Sequence, residues 1–244
     1  MKPPSPASGA KGSAARRFAH GMRPHVTCCS RLETHTLPEP SENRRPIAAR
    51  SSGWANGAAA ALARANVSPN MVSSTSVLFA ALGAVLLIEW PNAPGLILCA
   101  ACVQARLICN LLDGMIAIEG GRKTPLGALY NEFPDRLADS LFIVALGYSC
   151  GLPAWGWFGA LAAALTAYVR VFGGALGLPQ DFRGPMAKQH RMAVLTAACL
   201  AGAIEQLIWA TRYGLVAACL VIAIGSAITC VTRAFRIARQ LSVR

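Results

Sequence analysis

Six apolar blocks of about twenty residues each constrain this chain more than any other feature, because a helical run of that length crosses the hydrocarbon core of a bilayer. They lie at about 71–89, 95–118, 126–149, 153–177, 192–211 and 213–233, parted by short connectors such as Trp90-Pro91-Asn92-Ala93-Pro94 and Gly151-Leu152-Pro153. The expected class is an all-α integral membrane protein with six transmembrane helices. Ahead of them, residues 51–66 read as a helix lying along the membrane surface, with Ser51 or Ser52 as N-cap and Trp54 near the interface. Pro69 disfavours a helical Ser68 and sets the start of the first block.

The formal charge of +12 sits almost wholly outside the apolar blocks. No basic patch is interleaved with aromatics, so the excess points to an anionic membrane surface and not to nucleic acid. Residues 1–50 carry nine Lys or Arg against three Glu and show no hydrophobic periodicity. They read as a disordered basic tail. Their Arg-rich start resembles an organelle transit peptide, a reading that Glu33, Glu39 and Glu42 weaken, and Met22 is an alternative start. The membrane domain then spans 51–235 and a basic tail 236–244. Of the nine cysteines, seven lie in or beside apolar blocks; Cys99 and Cys102 have a metal-like spacing but no second pair and no nearby His, so these read as packing residues.

Basic residues mark alternate connections: Arg122 and Lys123 in the second, Arg183, Lys188 and Arg191 in the fourth, and Arg233, Arg236, Arg239 and Arg244 at the end. The first, third and fifth carry only Arg212. Positive loops face the cytoplasm. Both termini, and the junction of the second and third helices, are therefore expected on the cytoplasmic side of a bacterial inner membrane.

That junction holds the unusual chemistry. An ionisable side chain at the centre of a span costs about 2.5–3.5 kcal/mol, so each one invites a functional reading. Arg106, Asn110, Asp113 and Ala117 stand at offsets that share one helical stripe, and Gly127, Asn131, Asp135 and Asp139 form a second beyond a short basic break. Two helices so marked can bring Asp113 and Asp135 together. Two carboxylates with Asn110 and Asn131 offer hard oxygen ligands suited to Mg²⁺ or Mn²⁺, and Gly114 lets a ligand approach the backbone beside Asp113.

The pattern Asn110-Leu-Leu-Asp113-Gly114-Met-Ile-Ala117, then Gly127, Asn131 and Asp135, resembles the signature of the CDP-alcohol phosphatidyltransferases, D-x2-D-G-x2-A-R-x8-G-x3-D-x3-D, with every gap in register. The resemblance extends over about 51–235. It implies a six-helix enzyme that moves a phosphatidyl group from a CDP-activated lipid to an alcohol, with membrane lipids around it and CMP released. It further implies Asp135 as base and metal at the earlier acidic positions. Members are often homodimers, which allows a second copy as partner. Asn110 and Asn131 stand where the family has aspartates, and Ile118 where it has arginine.

Those departures name substitutes. Asp139, one turn beyond Asp135, is the first candidate to restore metal ligation, and Glu132 the second. Arg106 or Arg122 could clamp the diphosphate in place of the missing arginine. Arg170, Lys188 and Arg191 resemble the family's phosphate-binding basic residues more loosely, and an ordinary basic loop explains the last two as well. His190 is a weaker candidate for a catalytic acid, and Glu205 has no role beyond pairing within the bundle. Two further readings stay open: a CDP-linked alcohol as donor to diacylglycerol, and a non-catalytic relative that binds lipid or nucleotide, or a small ion-coupled transporter.

Overall fold

The structure, a computed structural model, describes residues 52–119 and 127–243. They form seven helices: α1 (Gly53–Arg64), α2 (Pro69–Glu89), α3 (Ala93–Glu119), α4 (Gly127–Ser149), α5 (Pro153–Ala175), α6 (Lys188–Ile208) and α7 (Tyr213–Leu241). The expected 1–50 tail and Arg122 lie outside the described residues.

The helix starts follow from local chemistry. Ser68 caps α2, its Oγ accepting from the Met71 N–H at 3.2 Å, and Pro69 opens the first turn, where a missing N–H costs nothing. Asn92 does the same for α3 through the Gly95 N–H at 3.0 Å. Pro153 opens α5, and the helix closes where Gly177 turns to φ +73, letting the Leu178 N–H reach the Gly173 carbonyl. Glu205 of α6 caps α7, accepting from the Tyr213 and Gly214 N–H groups at 2.7 and 2.9 Å and from Thr211 Oγ1. This gives Glu205 the role the sequence left blank.

Two boundaries differ from expectation. Helix α6 begins at Lys188, one turn before the apolar run, because Lys188 and Arg191 find buried carboxylates and need not stay in a solvated loop. Helix α7 runs through Leu241, so the last residues are not a tail up to that point. Nothing after Arg233 breaks a helix, and arginines near its C-terminal end favour the dipole.

Five helices, α2, α3, α5, α6 and α7, are long and apolar enough to cross a membrane. Helix α4 has 23 residues but carries Glu132, Asp135, Arg136 and Asp139 in its first and middle turns. It packs on α2 and α5, with Asp135 and Asp139 buried in the bundle and Glu132 and Arg136 partly exposed. The bundle core joins Leu87, Leu96, Val103, Phe142, Leu146, Leu195 and Ile222. Large side chains such as Leu78, Leu82, Phe133, Leu161 and Ile228 point outward, as expected where the solvent is lipid. Helix α1 buries Ala55 and Ala59 against Leu112, Met115 and Ile116 of α3.

Small residues set how closely α4 and α5 approach. A Cβ on Gly147 would stand 2.6 Å from the Cα of Gly156. Gly147→Ala must therefore push backbone against backbone, with an expected loss of about 1–3 kcal/mol. A lowered thermal midpoint of the detergent-solubilised protein checks this, and an unchanged midpoint refutes it.

Candidate active site

Where α3 crosses α4, the two polar stripes meet. Asn110 of α3 donates from Nδ2 to Asp135 Oδ1 at 3.0 Å, joining the first motif position to the last. Asp113 lies one turn further along α3, within electrostatic reach of Asp135. Asp135 also accepts from Arg106 Nη2 at 3.1 Å and, through Oδ2, from the Lys188 ammonium. Lys188 in turn donates to Asn110 Oδ1 at 2.7 Å. Three helices thus converge on one carboxylate, which Pro134 precedes inside α4.

The structure places Asp139, a candidate metal ligand, between two guanidiniums. One of its oxygens accepts from Arg106 Nη2 at 2.8 Å and the other from Arg191 Nη2 at 2.9 Å, and the residue is 2% exposed. Each oxygen of Asp139 thus faces a guanidinium. The same contacts tie Arg106 and Arg191, the candidate substrate clamps, to Asp139. Arg106 is fully buried and Arg191 is 1% exposed, with Arg191 Nη1 spent on the Met186 carbonyl. Buried charge of both signs explains why neither arginine is free to leave: separating them strands a charge without solvent.

Asp113 is treated differently. Ser73 of α2 donates to its Oδ2 at 2.6 Å, while Oδ1 is buried with no hydrogen-bond partner. A buried anionic oxygen left open fits a cation. Around it, Asn110 is half-buried and Asn131 exposed, each offering a neutral amide oxygen. Among the described residues no group of three or more His, Cys, Asp or Glu side chains is arranged to hold a metal. Gly114 and Ala117 continue the stripe and Gly127 opens α4, all half-buried.

Glu132, the second candidate to restore metal ligation, is paired with arginines instead. Both its oxygens accept from Arg170 Nη2, at 2.6 and 2.7 Å, and one from Arg136. Arg170 also donates to Gln180 and lies over the Phe182 ring, 5.1 Å from its centroid. It thereby forms one wall of a pocket of about 260 Å³ between α5, the 179–183 loop and α7, whose charged lining is Arg170, Arg183, Arg233, Arg236 and Asp181. Burial would raise the Asp181 carboxyl, but the Arg236 guanidinium and the Arg183 N–H hold it below the usual carboxylate range. Arg233 shapes the loop, donating to the carbonyls of Arg183 and Thr166. Exposed His190 has its Nδ1 3.0 Å from the Pro185 carbonyl oxygen, away from the carboxylates' hydrogen bonds.

Sequence reasoning missed Ser73 and the α7 wall of the pocket. Both had signals. Ser73 is a hydroxyl inside an apolar block, and Ser226, Thr229, Arg233, Arg236 and Gln240 form a polar stripe at helical spacing.

No family model matches the chain. It is 39% identical over 151 residues to the bifunctional IPC transferase and DIPP synthase of Rubrobacter xylanophilus, which covers 59% of this chain and 34% of that protein. It is 32% identical over 122 residues to the archaetidylinositol phosphate synthase of Aeropyrum pernix, covering 45% of this chain and 62% of that one. The chain thus spans about a third and about three fifths of these relatives' lengths. Its fold matches Mycobacterium tuberculosis phosphatidylinositol phosphate synthase in complex with manganese and citrate, with a TM-score of 0.66 at 21% identity over 75% of this chain and 88% of that one. The same enzyme with CDP-DAG bound gives 0.65 at 21% identity, over 76% and 94%.

Proposed function

We propose that this chain, a divergent relative of the CDP-alcohol phosphatidyltransferases, moves a phosphatidyl group from CDP-diacylglycerol, or a close CDP-activated lipid, to the hydroxyl of a phosphorylated polyol and releases CMP. The observation that carries this reading is the meeting of Asn110, Asp135 and Lys188 beside a basic pocket, with Glu132 tying the pocket wall to the helix of Asp135. The relatives' names make an inositol phosphate the first acceptor to try.

In this scheme the acceptor oxygen bonds to the phosphorus that carries the lipid, and the bond from that phosphorus to the CMP oxygen breaks. Asp135 takes the hydroxyl proton at Oδ2 once Lys188 yields it. Lys188, 15% exposed at its side chain, then lends its positive charge to the departing phosphate. Mg²⁺ or Mn²⁺ held by Asp113, with Asn110 and Asn131 as amide donors, would supply charge neutralisation at the diphosphate. Arg170 and Arg236 receive the phosphate of the acceptor. The site opens to the cytoplasmic face, where both substrates are within reach of a basic rim.

Purified protein with CDP-diacylglycerol and a panel of free and phosphorylated alcohols, read by CMP release, tests this. Release confined to phosphorylated polyols supports the acceptor assignment. CDP binding with no release over the whole panel favours the non-catalytic reading, which the departures at Asn110, Ile118 and Asn131 and the fully paired Asp135 support. Within the pocket, Arg236 has a half-exposed side chain paired with Asp181 at 2.9 Å. Arg236→Ala is expected to raise the acceptor KM about ten- to a hundredfold, as for one lost charged hydrogen bond, with kcat nearly kept. An unchanged KM removes Arg236 from the acceptor site.

A further inference from the structure

Asn110, Asp135 and Lys188 close a hydrogen-bonded ring. Asn110 donates to Asp135 at 3.0 Å, Lys188 donates to Asn110 at 2.7 Å, and Lys188 also donates to Asp135. An amide, with a donor on one arm and an acceptor on the other, completes such a ring. A carboxylate at position 110 would set one anionic oxygen against another at this distance and would call for an outside cation between them. Asparagine removes the repulsion and leaves the place to an ammonium borne by the chain.

The two aspartates are consequently unlike in what they need. Asp135 has Arg106 and Lys188 against it and Arg136 4.0 Å away. Asp113 accepts from the Ser73 hydroxyl, has the Gly114 N–H beside it, and forms no salt bridge with an arginine or lysine among the described residues. Lys188 is the first residue of α6, held at its base by the buried Arg191–Asp139 pair one turn on. Its presence between α3 and α4 is therefore built into the packing of the helix.

We propose that Lys188 is a resident cation that competes with a divalent ion for the Asp135 side of the site, and that Asn110 is the residue that admits it. Divalent affinity is held down by the tethered ammonium, and an ion anchored on Asp113 gains Asp135 as a ligand only when Lys188 withdraws. This rests on the reading that Asp113 and Asp135 form one centre, but its consequence is ion binding and not turnover.

The test is Mn²⁺ binding to the full chain in detergent, followed by the loss of the free-ion paramagnetic resonance signal, with no nucleotide or acceptor present. Lys188→Met and Lys188→Gln are both expected to bind Mn²⁺ roughly tenfold or more tighter than the unaltered protein. Lys188→Arg, which keeps the charge, is expected to stay weak, and adding Asn110→Asp to Lys188→Met is expected to tighten binding again. Two neutral variants guard against misfolding of one, each checked by its elution profile and thermal midpoint. If the folded neutral variants bind Mn²⁺ no tighter than the unaltered protein, the proposal is overturned. Tightening in these variants, with no CMP release by the unaltered protein over the acceptor panel, upholds it and removes the transferase reading instead.

Discussion

Asp135→Asn is expected to lower CMP release by about 10²–10⁴-fold, the usual loss when a positioned proton acceptor is removed, while the protein stays folded. The geometry explains both halves. An asparagine oxygen still accepts from Arg106 and Asn110, now at 3.1 and 3.0 Å, so α3 and α4 remain joined. The other arm would present N–H groups to the Lys188 ammonium, donor against donor, and could not take a proton from an acceptor hydroxyl. Arg106 keeps Asp139 as its counter-ion, so no guanidinium is stranded. CMP assays and thermal melts on the same preparation decide it. Turnover at the unaltered rate would mean that another group is the base.

Asp139→Ala is expected to act on stability instead, by about 3–5 kcal/mol. Arg106 and Arg191 are the two largest fully buried side chains of the described residues, and this one carboxylate joins them. Deleting it leaves two positive charges in the bundle, Arg106 with Asp135 alone and Arg191 with only a carbonyl. Low yield and a steep fall in thermal midpoint are the expected readouts. Replacing the triad together, Arg106→Met with Asp139→Leu and Arg191→Leu, should recover much of the loss, since removing a whole buried ion set is often neutral. A stable Asp139→Ala variant that has lost only Mn²⁺ affinity would support the metal-ligand reading.

These two neighbours on α4, one turn apart on the same stripe, show where the sequence was legible. Helical periodicity places Asp135 and Asp139 on one face, and the motif register marks Asp135. Neither says which helix stands opposite each carboxylate. Asp139 meets Arg191 from 52 residues later, and Asp113 meets Ser73 from 40 residues earlier. Lys188, assigned to a loop from the sequence, is drawn into the site because α6 starts a turn early.

What the sequence determined by itself is the class of molecule and the register of its motif. Apolar runs of span length leave the backbone no partner but itself, and so become helices whatever their neighbours. The stripes on α3 and α4 follow from 3.6 residues per turn. What only the tertiary structure decided is the sorting of the charges: Asp139 between buried arginines, Glu132 bound to Arg170, Asp113 with one oxygen open, and Asp135 closed by Lys188. In a low-dielectric interior each charge takes the nearest opposite charge that packing brings to it. That choice depends on how helices cross, and no local spacing encodes it.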